Sequence, residues 1–519
     1  MTEKTHVLAI DNGTQSVRAL LFDLKGELTS KVQIQLEPYY SKKPGWAEQD
    51  VDYFWENLCK ACQQLWQESD VSREAIAAVS LTTQRACMVN LDRDGKPLRP
   101  MISWLDQRRA TNFKPIGGLM GVAFKLAKVE KTIRTLQAES EANWIAENQP
   151  EIWEKTDKFL FLSGYHLYRL TGHYRDSSSA QVGFVPFDFK KLEWCGEKSF
   201  MWKTAPIEKR MLADLVQPGE ELGRITEEAS RLTGIPEGLP VIAAGTDKGC
   251  EILGAGCLDP GVASLSYGTT ATVNTISSKY FEVTPRIPPY PAPVPNAYCT
   301  EVMIYRGYWM VSWFKKQFAL REQLLADEKG VEPETLFDEL VEAVPPGAMG
   351  LMLQPYWSPS LTMPEAKGAI IGFGDVHTRA HIYRAILEGL AYGLREGKER
   401  IEKKSGVNVE KLMIAGGGSR SDAAMQLTAD IFGLPASRPH TYETSGLGAA
   451  MTAAVGVGIY PNFKTAIKKM TRVEKVFEPN PDNQKIYDRL YRKVYLQMYE
   501  KLQPLYREIQ EITGYPAEA

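Results

Sequence analysis

The chain has 519 residues, 44% of them apolar and 24% charged, which is the balance of a globular enzyme and not of a disordered chain. Its 61 basic and 64 acidic residues leave a net charge of −3, which argues against a nucleic-acid partner while leaving room for a local basic pocket. At about 150 residues per domain this length predicts roughly three domains, with cores large enough to need no disulfide or metal.

The first forty residues read as antiparallel strands. Residues 7–11 form an apolar run, Asn12-Gly13 is a tight-turn dipeptide, and residues 16–23 resume the strand pattern. Glu3 and Lys4 with no long apolar run behind them predict no secretory signal. A helix is predicted over 50–68, and Cys59 and Cys62 fall inside its apolar periodicity, so this C-x-x-C reads as core thiols. Seven cysteines, an odd number, predict free thiols in a reducing cytoplasm. A buried strand follows at 76–81, then a turn at Asp94-Gly95-Lys96-Pro97, a strand at 101–104 and a mainly helical stretch over 111–172. Residues 240–244 make another apolar strand that ends in Gly245-Thr246-Asp247.

The pattern then restarts. Residues 262–266 and 272–276 are strand-like around Gly268-Thr269-Thr270, and Gly268 lies 255 residues after Gly13, about half the chain. Two short hairpins match easily, so this alone is modest support for a repeat. The proline-rich segment 285–295 reads as an extended loop. Helical periodicity covers 379–398, and a strand at 409–415 runs into Gly416-Gly417-Gly418-Ser419 before a helix over 422–432. Residues 446–456 form a small-residue helix suited to close packing. An amphipathic helix is predicted over 483–512, kinked by Pro504, with a packing stripe at Tyr487, Tyr491, Tyr495 and Tyr499. No uncharged stretch is apolar enough for a membrane span. The whole predicts a layered α/β fold with ligand loops at strand ends.

No P-loop is present, so nucleotide binding needs another device. Three glycine-marked turns follow strands: Asp11-Asn12-Gly13-Thr14, Gly268-Thr269-Thr270 and Gly416-Gly417-Gly418-Ser419. Such turns offer backbone N–H groups and hydroxyls to phosphate oxygens; singly, each also reads as an ordinary hairpin. Asp11 is either a Mg²⁺-holding carboxylate or a turn aspartate bonded to its own backbone. Arg18 either points at the same site or is a solvated strand residue. Asp247 suits a proton acceptor for a hydroxyl attacking a phosphate, and equally a cap for the helix that follows. Gln84, Arg85, Trp104, Asp106 and Arg108 together suit a polyol, with an indole face for the carbon skeleton and polar groups for hydroxyls. Taken singly, they are salt bridges or core aromatics.

These residues, in this order, resemble the FGGY family of carbohydrate kinases, in the actin and hexokinase superfamily. Ile10-Asp11-Asn12-Gly13-Thr14-Gln15-Ser16-Val17-Arg18 is similar to the family's first phosphate motif and Gly245-Thr246-Asp247 to the motif of its catalytic base. Ser266-Tyr267-Gly268-Thr269-Thr270-Ala271 is similar to its second phosphate motif, and Gly416-Gly417-Gly418-Ser419 to its adenosine motif. Residues 368–388 follow its C-terminal signature, with Phe373 where an aliphatic residue is usual, and the matches run from residue 5 to about 458. The resemblance implies two ribonuclease-H-like lobes, each a mixed sheet with flanking helices, divided at 1–255 and 256–519, with ATP and a sugar or polyol in the cleft between. It implies Asp247 as general base and Asp11 as the organiser of Mg²⁺. Thr14, Arg18, Thr269 and Thr270 would hold the phosphates, with Gly13 and Gly268 in the turns, and Gly416, Gly417, Gly418 and Ser419 would line the adenosine pocket.

The departures concern the acceptor. Thr83-Gln84-Arg85 and Trp104-x-Asp106-x-Arg108 resemble the glycerol kinase branch, but Ala86 stands where that branch has a glutamate. The Met-His pair of xylulokinases is absent, and Glu141 replaces a signature lysine. These point to a polyol other than glycerol or xylulose. The competing expectations are a sugar- or nucleotide-binding regulator without catalysis, motivated by Ala86 and Glu141, and an ATPase of the same superfamily. The exposed apolar face of the last helix suits either a homodimer or packing within the chain.

Overall fold

The computed structural model describes residues 3–127, 129–330, 333–358 and 363–515. The chain divides into two compact units. The first combines Met1–Gly256, Pro288–Cys299 and Glu443–Thr471, and the second Cys257–Ile287, Thr300–Tyr442 and Arg472–Ala519. These differ from the continuous halves 1–255 and 256–519, because two later segments return to the first unit. All seven cysteines are buried free thiols. Among the described residues, no helix is long and apolar enough to cross a membrane.

In the first unit, strands β1 (His6–Asn12), β2 (Ser16–Asp23) and β3 (Leu28–Gln35) form an antiparallel meander. Helix α1 (Val51–Glu68) buries Phe54, Leu58, Cys62 and Leu65 at helical spacing, so the C-x-x-C lies in the core. Strand β4 (Ile76–Thr83) pairs parallel with β1. After β5 (Glu221–Arg224), strand β6 (Pro240–Thr246) pairs parallel with β4 and leads directly into α2 (Asp247–Gly254). The sheet order is β5-β6-β4-β1-β2-β3. Parallel pairing explains why β1 and β6 read as continuous apolar runs, and the edge position of β3 explains its alternation. The stretch 111–172 is interrupted by a strand, Lys158–Phe161, which joins Met88–Leu91 in a smaller sheet.

The second unit repeats the plan. Strands β7 (Val262–Tyr267) and β8 (Ala271–Ser277) form the hairpin, with β9 (Tyr298–Ile304) beyond β8. The long helix α3 (Arg379–Ser405) precedes β10 (Lys411–Ala415), which pairs parallel with β7. Helix α4 (Asp422–Phe432) leads to β11 (Ala436–Pro439), parallel to β10, and β12 (Val473–Phe477) pairs antiparallel with β11. The order β9-β8-β7-β10-β11-β12 matches that of the first sheet, with the same hairpin, two parallel neighbours and antiparallel outer strand. Tyr487, Tyr491 and Tyr495 are buried against Tyr392 of α3, which makes the tyrosine stripe a packing surface. The final helical stretch breaks at a π-helical turn, Tyr491–Tyr495, and Pro504 stands inside the continuous helix Leu496–Thr513.

The chain returns to the first unit with α5 (Thr444–Gly456), which packs on α2 and on β1, β4 and β6. A Cβ on Gly448 would lie 2.0 Å from the Cys250 carbonyl oxygen, and one on Gly254 would lie 1.9 Å from that of Thr444. The small residues are therefore what lets these two backbones touch.

Candidate active site

In the first unit, the carboxyl ends of three neighbouring parallel strands lie in register: Asn12 opposite Thr83, and Thr83 opposite Thr246. The residues that follow these ends are therefore brought together, as is usual for ligand loops of α/β sheets. Asp11 faces Arg18 across the β1–β2 pair, with Arg18 Nη1 3.0 Å from Asp11 Oδ2. The turn between them is wider than the tight dipeptide turn expected at Asn12-Gly13. Asn12 belongs to β1, Gly13 donates its N–H to Ser16 O at 3.0 Å, and Gly13 does not use the left-handed backbone region. A Cβ on Gly13 would meet nothing closer than Ser16 O at 3.7 Å, so neither backbone nor packing demands glycine there.

Thr14, Gln84 and Trp104 form a chain: Trp104 Nε1–H donates to Thr14 Oγ1, whose hydroxyl donates to Gln84 Oε1, each at 2.9 Å. Trp104 remains 43% exposed. Arg85 stacks over the Tyr290 ring at 4.6 Å, and its charge lies close to Asp247. Ala86 has a left-handed φ of 54°. Glu141 is half-buried, and burial pushes its carboxyl up to about 7.

Asp247 is the first residue of α2. The cap is Thr246, whose hydroxyl accepts the Gly249 N–H at 3.3 Å, so the capping role that the sequence left open for Asp247 belongs to its neighbour. One Asp247 oxygen accepts the Lys248 N–H at 2.7 Å. Burial raises the Asp247 carboxyl above the usual range, offset by Arg85 and Lys248. Asp11 is 4% exposed and is pushed up to about 7, by burial first and then by the charges of Asp247, Glu443 and Glu251, against Arg18. Glu251 Oε1 is buried without a hydrogen-bond partner among the described residues. Among those residues no group of three or more His, Cys, Asp or Glu could hold a metal by itself. The hard oxygens of Asp11 and its neighbours fit Mg²⁺ in the manner usual for that ion, completed by water and phosphate.

Two of the expected ligand side chains are already engaged within the chain. The Asp106 side chain is 3% exposed and accepts from Arg108 N, Nε and Nη2 and from Ala47 N. Arg108 also bonds Glu48, which pairs with Arg99, and its guanidinium lies against the rings of both Trp46 and Trp144. With every lone pair engaged, Asp106 belongs to a buried ionic core. Ser419 is likewise fully buried, its hydroxyl donating to Gly416 O at 2.7 Å, so it shapes the glycine loop from within. Sequence reasoning missed His166, whose Nε2 lies 2.9 Å from Asn12 Oδ1. No motif marks it, because a lone histidine inside a helix carries no signal.

In the second unit, β7 and β10 are parallel neighbours, which sets the Gly268–Thr270 turn beside Gly416. Thr269 is exposed, and Gly268 and Thr270 are half-buried. Tyr308 N–H donates to Gly268 O at 3.1 Å and Trp309 N–H to Thr269 O at 3.3 Å. Gly416 has φ +89°, and a Cβ there would strike Tyr267 O at 2.8 Å; a Cβ on Gly418 would strike the Tyr308 ring at 2.3 Å. Gly417 has nothing within 4 Å, which leaves one open backbone position on the loop.

Residues 6–254 match the N-terminal domain of the FGGY family of carbohydrate kinases, and residues 263–457 match its C-terminal domain. The chain belongs to the FGGY family. It is 32% identical over 500 residues to the "Uncharacterized sugar kinase YgcE" of Escherichia coli (strain K12), covering 95% of this chain and 93% of the relative. It is 28% identical over 518 residues to a "Xylulose kinase" of Lactococcus lactis subsp. lactis (strain IL1403), covering 98% and 99%. The solved xylulose kinase of Rhodospirillum rubrum superposes with a TM-score of 0.79 at 25% identity, over 97% of this chain and all of that one. The protein is thus a sugar-kinase phosphotransferase with the two-unit fold of this family.

Proposed function

We propose that this FGGY kinase transfers the γ-phosphoryl group of ATP to a hydroxyl of a sugar or polyol, with Asp247 as general base. The observation that carries the reading is the Asp247 carboxyl itself: it stands at a strand end, raised above the usual range, relieved of capping by Thr246, and beside Asp11 and Arg85. A carboxylate of raised pKa is the better proton acceptor. The acceptor hydroxyl gives its proton to Asp247, its oxygen bonds to the γ-phosphorus, and the bond to the β-phosphate oxygen breaks to release ADP. Thr14, Arg18, Thr269 and Thr270 hold the phosphates, and Gly416, Gly417 and Gly418 line the adenosine pocket. Bound Mg²⁺ supplies charge neutralisation on the phosphate oxygens, and Asp11 would hold it.

The exposed Trp104 face suits the carbon skeleton of the acceptor, and Arg85 its hydroxyls. Ala86 and Glu141 favour a polyol other than glycerol or xylulose. The test is ADP release with Mg-ATP over a panel of sugars and polyols. Asp247→Asn should lower kcat by about 10²- to 10⁴-fold while ATP binding stays within about threefold. Undiminished turnover in that variant sinks the assignment.

A further inference from the structure

Glu443 plays no part in the reading above, yet its side chain reaches the site. It is the first residue of the segment that rejoins the first unit, immediately ahead of α5. Its carboxylate is 13% exposed and contacts two cations of the N-terminal meander: Arg18 Nη1 at 3.4 Å and Lys31 Nζ. The same Arg18 nitrogen lies 3.0 Å from Asp11 Oδ2. Asp11, Arg18, Glu443 and Lys31 thus form a row of alternating charge, in which one guanidinium nitrogen is shared by two carboxylates.

We propose that Glu443 is a positioning residue that shares the Arg18 guanidinium with Asp11, weakens its hold on that carboxylate and so keeps Asp11 able to take a divalent cation. The inference rests on the reading of Asp11 as the Mg²⁺-organising residue. Arg18 Nη1 donates to Asp11 Oδ2 at 3.0 Å, and this charge-assisted pair competes with any cation for the same oxygen. Glu443 gives the guanidinium a second anionic partner. Lys31 in turn neutralises part of Glu443, so a change at either end of the row travels inward with opposite sign.

The experiment is Mn²⁺ binding to the full-length protein, read by electron paramagnetic resonance with a non-hydrolysable ATP analogue, alongside the Mg²⁺ dependence of turnover. Glu443→Gln should weaken Mn²⁺ binding about tenfold, and Lys31→Met should strengthen it about threefold. In an Arg18→Gln background, Glu443→Gln should change nothing further, because its route is removed. An additive effect there, or a shift of the same sign for Glu443→Gln and Lys31→Met, overturns the proposal. Asp11→Asn separates the two readings. If it binds Mn²⁺ like the wild type, the role of Asp11 falls and this inference with it. If it loses binding while Glu443→Gln does not, only the role of Glu443 falls. Should Glu443→Gln fail to fold, unchanged or weakened binding in Lys31→Met still refutes it.

Discussion

His166 shows how much a single buried side chain contributes to the first glycine turn. It is fully buried, and burial pushes its pKa down from 6.5 to about 3. Its Nε2 meets Asn12 Oδ1, and Asn12 Nδ2–H donates to Gly13 O at 3.1 Å, so the neutral imidazole braces the turn from below. Because the folded pKa lies below the unfolded one, this stability is present above about pH 6.5 and is lost as pH falls toward 3. The loss amounts to about 1.4 kcal/mol per pH unit within that window. Urea unfolding at pH 7 and pH 5 should therefore show the wild type losing about 2 kcal/mol more than His166→Gln, which keeps an N–H for Asn12 and does not titrate. Equal slopes for the two proteins would remove histidine from this role. The ionisable residues that carry the proposed chemistry, Asp11 and Asp247, were legible because each stands at the carboxyl end of an apolar strand, within two residues of a glycine. The engagement of Asp106 was not legible, because a W-x-D-x-R string says nothing about whether Ala47 and Arg108 will saturate the carboxylate.

At the scale of elements, the glycines divide into two kinds. Gly448 is required by the fold, since any Cβ meets the Cys250 carbonyl at 2.0 Å. Gly448→Ala should separate α2 from α5 and cost about 3 kcal/mol or more, an overpacked contact with backbone that cannot yield. Gly417 is the opposite case, with no protein atom within 4 Å and no left-handed φ. Gly417→Ala should leave stability within about 0.5 kcal/mol. It should nevertheless raise the KM for ATP about tenfold, because the space it fills is proposed for the nucleotide. Thermal unfolding and ATP-dependent kinetics on both variants would check the pair, and a stability loss in Gly417→Ala would contradict it. The small-residue run at 446–456 announced a close helix contact, yet its partner could not be read, since α2 lies about two hundred residues earlier.

At the scale of the molecule, the repeat suspected from two hairpins is real in topology: both sheets carry a hairpin, two parallel neighbours and an antiparallel outer strand. The repeat does not cut the chain into two independent halves. α5 covers β1, β4, β6 and α2, so the apolar face of the first sheet is complete only with the segment Glu443–Thr471. A fragment ending at residue 255 should show no cooperative thermal transition. The same fragment joined by a linker to residues 443–471 should recover one by near-ultraviolet circular dichroism. Cooperative melting of the short fragment would show that the continuous half is a unit after all.

Local pattern was enough to reveal the strands, the glycine turns after them, the two candidate carboxylates and the family likeness, because each is written in neighbouring residues. Which turns share an edge, which helix covers which sheet, and which polar side chains are already satisfied were decided by tertiary structure alone. Strand order, the return of Glu443–Thr471 to the first unit and the Ala47 bond that completes the saturation of Asp106 depend on contacts between residues far apart in the chain. Periodicity reports only which face of an element is buried, and not what buries it.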